Sequence, residues 1–258
     1  MEEALLSKGE WISLSDWRLL KLAETASTNT DARELAGEIA GEFGVWAIKQ
    51  NAGRGREDRQ WQSSPQSSLT FSLLFRPNPD EIEHLSRFTA LGALSLVDLL
   101  KEEYQIKAQV KWPNDVLIDS KKISGILLES VWSGSQLEAL VLGIGINLKN
   151  SAFGNDTELR FPASSLEAAG VIVEDLSPLL EKLIEKIKLC RKMLGSQLFL
   201  DDWNASLAFK GQFLPIKQYQ GKTEMLCPES INLDGSLNTR DQAGMLRIIQ
   251  SAEFSAPL

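Results

Sequence analysis

The sequence contains a single histidine, His84, and only two cysteines, Cys190 and Cys227. One histidine excludes chemistry that needs a pair of imidazole groups. Two cysteines this far apart form neither a disulfide framework nor a zinc site. No stretch approaches the roughly 18 consecutive apolar residues of a membrane-spanning helix. The first residues are acidic and show no signal-peptide pattern. We therefore expect a reduced, cytoplasmic protein without a membrane partner.

Positive charge is also scarce. The 258 residues include 27 Lys and Arg against 35 Asp and Glu, which gives a formal net charge of −8 at pH 7. A surface of this sign repels phosphate backbones, so we expect no nucleic-acid partner. The apolar fraction of 43% and the charged fraction of 24% are typical of a globular protein. The length is sufficient for one large domain and a small additional one.

The order of the patterns predicts an α+β protein with a mixed, largely antiparallel sheet and flanking helices. A first helix is expected after Ser27, because Thr28 and Asp31 have capping-box spacing. A second is expected over residues 81–103, and a third opens at a Ser177 cap followed by Pro178. Strands are predicted over residues 45–49, 69–75, 106–112, 116–118, 123–132 and 137–148, the last two as a hairpin.

The C-terminal part of the chain has a different character. After Trp203 the pattern changes to short strands and turns, which indicates a small β-barrel. We place the boundary so that residues 1–207 form the main domain and residues 208–258 form the barrel. Cys190 continues the apolar face of the third helix and is predicted to be buried, whereas His84 is predicted to lie on a helix surface.

The densest candidate site is the loop over residues 50–62. Glycines let the backbone approach a ligand. Guanidinium groups hold carboxylate and phosphate through paired hydrogen bonds. The loop residues of these two types are Gly53, Arg54, Gly55, Arg56 and Arg59. From these residues alone, a solvated charged loop remains the alternative.

Three further segments are weaker when each is taken separately. Residues 111–115 present an amide and a carboxylate directly after a proline turn. Lys122 enters a strand that contains an interior glycine, Gly125, and residues 143–147 place two glycines in an apolar strand. Interior glycines in strands often mark the close approach of a ligand or of another backbone. The structural alternatives are a routine turn, a lysine at a hairpin tip and close packing against a helix.

Taken in order, these segments resemble the biotin–protein ligase family. That family shows S-T-N, then G-R-G-R-x-G-R-x-W, K-W-P-N-D, K-x-x-G-I-L and G-x-G-I-N. Here the matching segments are residues 27–29, 53–61, 111–115, 122–127 and 143–147. The resemblance implies a class II synthetase-like catalytic domain followed by an SH3-like barrel. Because only 26 residues precede Ser27, we expect a monofunctional form without the N-terminal DNA-binding domain of some family members.

The resemblance also implies a reaction in two steps. Biotin would react with ATP, accompanied by Mg²⁺, to give biotinyl-5′-AMP and pyrophosphate. A lysine of the biotin carboxyl carrier protein of acetyl-CoA carboxylase would then take the biotinyl group. The protein itself is expected to supply no metal ligands. A lipoate or octanoate ligase is the alternative enzyme, a non-catalytic sensor of biotinyl-AMP is the alternative of another class, and a homodimer is left open.

The resemblance assigns roles to individual residues. The implied biotin site consists of Ser27, Thr28, Asn29, Gln50, Gly53, Arg54, Gly55, Arg56, Lys122 and Gly125. The implied nucleotide site consists of Arg56, Arg59, Trp61, Lys111, Asn114, Asp115 and Asn147. Catalysis is assigned to Arg56, to Lys122 between the biotin carboxylate and the α-phosphate, and to Asp115 as a base for the acceptor lysine.

One position departs from the family pattern. Asp58 stands where the family usually has glycine, and Glu57 precedes it, so two negative charges flank an anion-binding loop. The family's glycine suggests that the chain turns here, and aspartate tolerates a left-handed turn conformation better than most residues. We expect both carboxylates to face solvent at this turn, where they are able to pair with Arg59.

Overall fold

The structure is a computed structural model that describes residues 9–57, 59–152, 161–218 and 221–255. Its helices are α1 (Thr28–Leu35), α2 (Pro79–Ile82), α3 (Arg87–Tyr104), α4 (Leu176–Arg191) and α5 (Gln197–Ser206). The strands of the first part of the chain are β1 (Gly9–Leu14), β2 (Trp17–Leu22), β3 (Phe43–Ala47), β4 (Gly53–Arg54), β5 (Gln60–Trp61), β6 (Ser68–Phe75), β7 (Gln109–Lys111), β8 (Asp115–Ile118), β9 (Lys121–Ser133) and β10 (Gln136–Asn147). The remaining strands are β11 (Leu214–Gln218), β12 (Thr223–Ile231), β13 (Leu237–Asp241), β14 (Leu246–Ile249) and β15 (Ala252–Phe254). None of the helices in these ranges combines the length and the apolar character that a membrane crossing requires.

The main sheet has eight strands in the order β1-β2-β3-β6-β10-β9-β8-β7. Only β2 and β3 pair in parallel, and every other neighbouring pair is antiparallel. The predicted α+β class with a largely antiparallel sheet is therefore confirmed. The predicted β9–β10 hairpin is also present, with Gly134 at φ 58° in its turn.

Helices cover both faces of this sheet. Along β6, Phe71 and Leu73 belong to the core cluster that contains α3 and α4, whereas Leu74 belongs to the cluster that contains α1. Successive side chains of a strand point to opposite faces, so Ser72 lies on the α1 side. By the same alternation, Gly143 lies on the α1 side of β10, next to the N-terminus of α1. This face carries the candidate site.

Two predicted helix starts were wrong in detail. In α1, Ser27 is the N-cap residue and makes no side-chain capping bond, so the predicted capping box of Thr28 and Asp31 is absent. In α4, the N-cap is Asp175, whose Oδ1 accepts from the backbone N–H of Ser177 at 2.9 Å. An aspartate satisfies the same unpaired N–H groups as a serine, so spacing alone did not decide between them.

The predicted single helix over residues 81–103 was also wrong, because the chain forms two helices, α2 and α3. Asn78 and Glu81 form a capping box that begins α2, which ends at Ile82. A turn then brings the buried Arg87 to the backbone oxygens of Leu194 and Leu233. His84 lies in this turn, half-buried against Gly195, and not on a helix surface. Long-range contacts therefore break a pattern that is locally helical.

Other elements differ from the predictions. The first part of the described chain, where no pattern was recognised, forms the β1–β2 hairpin, and α5 was not predicted. The strand predicted over residues 106–112 is shorter, because only Gln109–Lys111 pairs with β8. Cys190 is buried as predicted, and burial raises the pKa of its thiol to about 12. The tight turn between β8 and β9 was predicted, with Asp119 and Ser120 at positive φ.

The C-terminal part forms a separate five-stranded antiparallel sheet in the order β14-β13-β12-β11-β15. It is attached firmly to the main sheet. The indole Nε1 of Trp112 donates to the backbone oxygen of Gly235 at 2.9 Å. The backbone N–H of Ala208 donates to the backbone oxygen of Val110, also at 2.9 Å. One core cluster contains residues of both sheets, such as Leu69 of β6 and Ile216 of β11. The predicted small β-unit is thus present, and the boundary at residue 207 stays a prediction.

Candidate active site

A cavity of about 600 Å³ opens on the α1 face of the main sheet. Its walls come from α1, from the loop that contains β4 and β5, from β8–β10 and from β15. Every site residue predicted from the sequence lines it except Gly53. A methyl group on Gly53 would lie 2.6 Å from the backbone oxygen of Trp61, so this glycine lets β4 approach β5. The predicted biotin and nucleotide residues therefore surround one cavity.

The N-terminus of α1 forms one end of the cavity. The backbone N–H and the hydroxyl of Thr28 both donate to Oε1 of Gln50, at 2.8 and 3.1 Å. Gln50 thus satisfies an N–H group that the first turn of a helix leaves unpaired. The backbone N–H of Gln50 in turn donates to Oγ of Ser63 at 2.9 Å. Two segments predicted to bind biotin are therefore joined by hydrogen bonds.

Asn29 is fixed in orientation by three partners. Its Nδ2 donates to Oε2 of Glu129 at 2.8 Å and to the backbone oxygen of Leu127 at 3.3 Å. Its Oδ1 accepts from the buried hydroxyl of Ser72 at 2.6 Å. The amide nitrogen is engaged on both sides, so Oδ1 is the atom with capacity left for a ligand donor. A ligand with N–H groups, such as a cyclic urea, suits this end of the cavity.

Gly143 is required by the close approach of Asn29. A methyl group at this position would lie 2.0 Å from Oδ1 of Asn29, and the hydrogen bonds of Asn29 prevent it from yielding. We expect Gly143→Ala to weaken biotin binding at least about tenfold, because the amide must leave its present position. Titration calorimetry with biotin measures this change. The control is Gly37→Ala, since a methyl group at Gly37 would meet nothing within 4 Å among the described residues. Unchanged affinity of Gly143→Ala would contradict the assignment of Asn29.

The arginine loop folds back on itself through β4 and β5. The backbone N–H of Gly55 donates to the backbone oxygen of Arg59 at 2.7 Å, and Glu57 adopts φ 55° at the turn. Glu57 is exposed and its Oε2 lies 3.3 Å from Nη2 of Arg59. Glu57 thus lies exposed at a turn and pairs with Arg59, as expected, and it also borders the cavity. The expectation for Asp58 lies outside the described residues.

The three arginines of the loop have different partners. Arg54 pairs with Oε2 of Glu129 at 2.7 Å. Arg56 donates through Nη2 to Oγ of Ser251 at 2.7 Å and through Nη1 to Oδ1 of Asn114 at 3.4 Å. Arg59 forms an ion pair with Glu253 of β15. Burial lowers the pKa of the Arg56 guanidinium, which nonetheless stays charged at neutral pH. Arg56 is therefore the most buried positive charge that the loop brings to the cavity.

A buried carboxylate between two lysines lies at the centre of the cavity wall. Oδ2 of Asp115 lies 2.7 Å from Nζ of Lys111, and its Oδ1 lies 2.7 Å from Nζ of Lys122. Burial on its own would raise the pKa of Asp115, but the two ammonium groups outweigh it and hold this pKa well below its ordinary value. Burial lowers the pKa of Lys111, against the attraction of Asp115. Lys122 is the more accessible lysine, with 26% of its side chain exposed against 9% for Lys111.

Aromatic rings surround these ammonium groups. Nζ of Lys122 lies 5.7 Å from the centre of the Trp61 ring, and Nζ of Lys111 lies 4.9 Å from that of Phe161. Trp61 packs directly on Gly145, where a methyl group would lie 2.4 Å from the indole. Its buried Nε1 has no hydrogen-bond partner within the described ranges. This donor lies against Gly145, within the part of the Trp61 ring that packs on β10.

Two asparagines complete the predicted nucleotide side. Nδ2 of Asn114 donates to the backbone oxygen of Ile126 at 2.9 Å, and Nδ2 of Asn147 donates to that of Ser164 at 3.0 Å. The described residues include no group of three His, Cys, Asp or Glu side chains arranged to hold a metal ion.

Comparison with known proteins connects this cavity to a family. The model of the biotin/lipoate A/B protein ligase family matches residues 23–147, the segment that supplies most of the cavity wall. Over these residues, which make up slightly less than half of the chain, the sequence is similar to this family. The "Bifunctional ligase/repressor BirA" of Bacillus subtilis is 36% identical over 167 residues, which cover 64% of this chain and 50% of that protein. The "Biotin--[acetyl-CoA-carboxylase] ligase" of Paracoccus denitrificans is 40% identical over 129 residues, which cover 49% of this chain and 53% of that protein.

The family likeness extends to solved structures. A biotin protein ligase from Aquifex aeolicus in complex with biotin and ATP has a TM-score of 0.76 and 28% identity, covering 92% of this chain and 97% of that one. The structural match therefore includes the C-terminal sheet as well as the segment matched by the family model. The chain spans about half the length of the curated relatives named above.

Several cavity residues were not found from the sequence. Phe161, Glu253 and Phe254 line the cavity, and Ser72, Glu129 and Ser251 form hydrogen bonds to residues that line it. Glu129 could have been found, because it lies four positions after Gly125 on the same face of a predicted strand. The residues of β15 gave no signal of this kind, because their position depends on how the C-terminal sheet packs on the arginine loop.

Proposed function

We propose that this protein is an ATP-dependent ligase that activates biotin as biotinyl-5′-AMP and transfers it to a lysine of a biotin carboxyl carrier protein. The observation that carries the proposal is the single cavity in which Lys122 and Arg56 lie beside the polar end formed by α1. Such a cavity accepts an uncharged polar ring system at one end and anionic groups at the other. The names of the relatives point to the same substrates.

The first step requires two anions to meet. The carboxylate oxygen of biotin attacks the α-phosphorus of ATP, the bond to the bridging oxygen of pyrophosphate breaks, and pyrophosphate leaves. Negative charge grows on the α-phosphoryl oxygens, so fixed cations beside them supply most of the rate enhancement. In our proposal Lys122 bridges the carboxylate and the α-phosphate, and Arg56 binds the phosphate from the loop. Mg²⁺ accompanies ATP and is held through the nucleotide phosphates.

The second step transfers the biotinyl group to an amine. The neutral amine of the acceptor lysine attacks the acyl carbon, the bond to the phosphate oxygen breaks, AMP leaves with the negative charge, and the proton lost from the amine passes to solvent. Asp115 was predicted as the base for this lysine. Because the pKa of Asp115 lies well below its ordinary value, this carboxylate is a weak proton acceptor. The geometry favours a role in which Asp115 positions Lys111 and Lys122.

The organisation of the chain fits this proposal. We propose that residues 1–207 form the catalytic domain and that residues 208–258 complete it from the C-terminal side. Ser251 and Glu253 contact two arginines of the loop. We further propose a cytoplasmic location, with the carboxylase carrier protein as partner and without nucleic acid or membrane. A homodimer stays open.

The polarity of the cavity supports biotin over lipoate or octanoate as the substrate. Thr28, Asn29, Gln50 and Ser72 make its α1 end strongly polar, which suits the ureido group of biotin and is unfavourable for an alkyl chain. We expect biotin to drive exchange of labelled pyrophosphate into ATP at least about 100-fold faster than lipoate or octanoate at equal concentration. The measurement is isotope exchange with each acid, followed by labelling of a purified carrier domain. Faster exchange with lipoate than with biotin would overturn the proposal.

The non-catalytic sensor remains the second candidate. A sensor would need the polar end of the cavity at α1 to bind biotinyl-AMP. It would not need a lysine beside the carboxylate and the α-phosphate, because it forms no bond between them. Lys122, Arg54, Arg56 and Arg59 are all present and all line the cavity, which favours an active enzyme. Tight binding of biotinyl-AMP without pyrophosphate exchange would support the sensor instead.

A further inference from the structure

Glu129 collects contacts from three positions around the cavity without lining the cavity itself. Its Oε2 accepts from Nη2 of Arg54 at 2.7 Å and from Nδ2 of Asn29 at 2.8 Å. Its other oxygen, Oε1, accepts from Nη1 of Arg33 at 3.2 Å. Glu129 lies in β9, opposite Val141 of β10, so its position is set by the sheet. One carboxylate on a rigid strand therefore holds the arginine loop and the N-terminal half of α1.

The position of Arg54 changes its expected role. From the sequence, Arg54 belongs to the group that wraps the ligand carboxylate. In the structure its guanidinium is engaged by Glu129, which neutralises its charge locally. A hydrogen bond between two charged groups is among the stronger ones, and only 20% of the Glu129 side chain is exposed. Arg54 thus fastens the loop to the sheet, while Arg56 reaches further into the cavity.

Oε2 of Glu129 also determines the orientation of the Asn29 side-chain amide. A carboxylate oxygen accepts only, so it selects the orientation in which the Asn29 amide nitrogen points toward β9 and Oδ1 points toward Ser72. With the opposite orientation, the amide nitrogen would face the ligand end of the cavity. Whether Asn29 presents a hydrogen-bond acceptor or a donor to a ligand therefore depends on Glu129.

We propose that Glu129 is a positioning residue of the biotin site that acts through Arg54 and Asn29. This inference rests on the proposed function, because it concerns biotin affinity in that reaction. Glu129 orients Asn29, which is proposed to contact biotin, and holds Arg54, which fastens the loop beside the biotin site; it makes no contact with Lys122 or Arg56, the groups proposed to contact the reacting phosphate. Its loss therefore raises the KM for biotin and leaves kcat of adenylation at saturating biotin unchanged.

The experiment compares Glu129→Gln and Glu129→Ala with the wild type in biotin-dependent pyrophosphate exchange. Glu129→Gln keeps one acceptor oxygen and loses the charge, so we expect the KM for biotin to rise about tenfold. Glu129→Ala loses both the acceptor oxygens and the charge, so we expect the KM for biotin to rise about 100-fold. We expect kcat and the KM for ATP to stay within about twofold of the wild type. The control is Arg33→Ala, which removes the exposed ion pair at Oε1 and leaves the contacts at Oε2 in place.

A double-mutant cycle separates positioning from general stability. If Glu129 acts through Arg54, the rise in the KM for biotin in Arg54→Ala/Glu129→Ala is smaller than the product of the two single changes. An unchanged KM for biotin in folded Glu129→Ala, or independent effects in the cycle, would overturn the proposal. Calorimetry with biotin gives the same comparison without turnover. A wild type that binds biotin without exchange removes the proposed function and leaves the role of Glu129 to be decided by these affinities.

Discussion

Lys122→Ala is expected to slow single-turnover formation of biotinyl-AMP by about 100- to 1,000-fold. Nζ of Lys122 is the accessible member of the pair that flanks Asp115, and it faces the cavity beside Trp61. An ammonium group placed between two anions matters most when the phosphate takes up charge, so its contribution belongs to the transition state. Biotin affinity is expected to fall by less than about tenfold, because the ground state loses only one of several contacts to biotin.

Rapid quench with labelled ATP measures adenylation, and calorimetry measures biotin binding. Lys121→Ala is a matched control, because Lys121 is the neighbouring lysine in the same strand, is exposed and does not line the cavity. Near-wild-type adenylation by Lys122→Ala would remove this lysine from the mechanism. Loss of biotin binding in proportion to the rate would instead assign it to ground-state binding.

Asp115→Asn is expected to destabilise the fold and the site together. The substitution leaves two ammonium groups in a buried place without the charge that compensates them, which costs about 3 to 5 kcal/mol. The melting temperature should fall by about 10 °C. Adenylation below the melting transition should fall at least about 100-fold, because Lys122 loses the partner that holds it.

The contribution of Asp115 to stability depends on pH in a direction that follows from its lowered pKa. The pKa of Asp115 in the folded protein lies well below its ordinary value, so its contribution to stability is present above the ordinary aspartate range. It is lost as the pH falls through the folded-state pKa. The stability difference between wild type and Asp115→Asn should therefore be constant above about pH 5 and narrow progressively as the pH falls below that value.

Thermal unfolding across this pH range tests both statements. Asp119→Asn is the control, because Asp119 is exposed in the neighbouring turn at φ 48°, a conformation that asparagine tolerates. If Asp115→Asn proved as stable as Asp119→Asn at neutral pH, the buried ion pairs would contribute nothing to the fold.

The parts of the structure that could be predicted are those fixed by local patterns. The β9–β10 hairpin follows from alternation around a glycine turn, and β6 follows from a short apolar run between polar segments. The predicted site residues come together because their segments end on one face of the same sheet. Gly143 and Gly145 indicated close packing, and the structure identifies the groups that approach them as Asn29 and the Trp61 ring.

The parts that could not be predicted depend on contacts between distant segments. The break between α2 and α3 follows from Arg87, whose acceptors lie more than 100 residues away in sequence. The hydrogen bond from Thr28 to Gln50 replaces a capping box that the local sequence favoured. β15 lines the cavity because the C-terminal sheet packs on the arginine loop, and no pattern within three residues specifies that.

Besides the shared apolar core, hydrogen bonds to main-chain atoms of one turn support the junction between the main part of the chain and the C-terminal sheet. Arg87 and Trp112 donate to the carbonyl oxygens of Leu233 and Gly235, not to their side chains. A carbonyl oxygen is present whatever the residue, so sequence drift in this turn leaves the acceptors in place. These acceptors depend instead on the path of the backbone, and Gly235 at φ 83°, packed on Ser86, marks where that path tolerates little change.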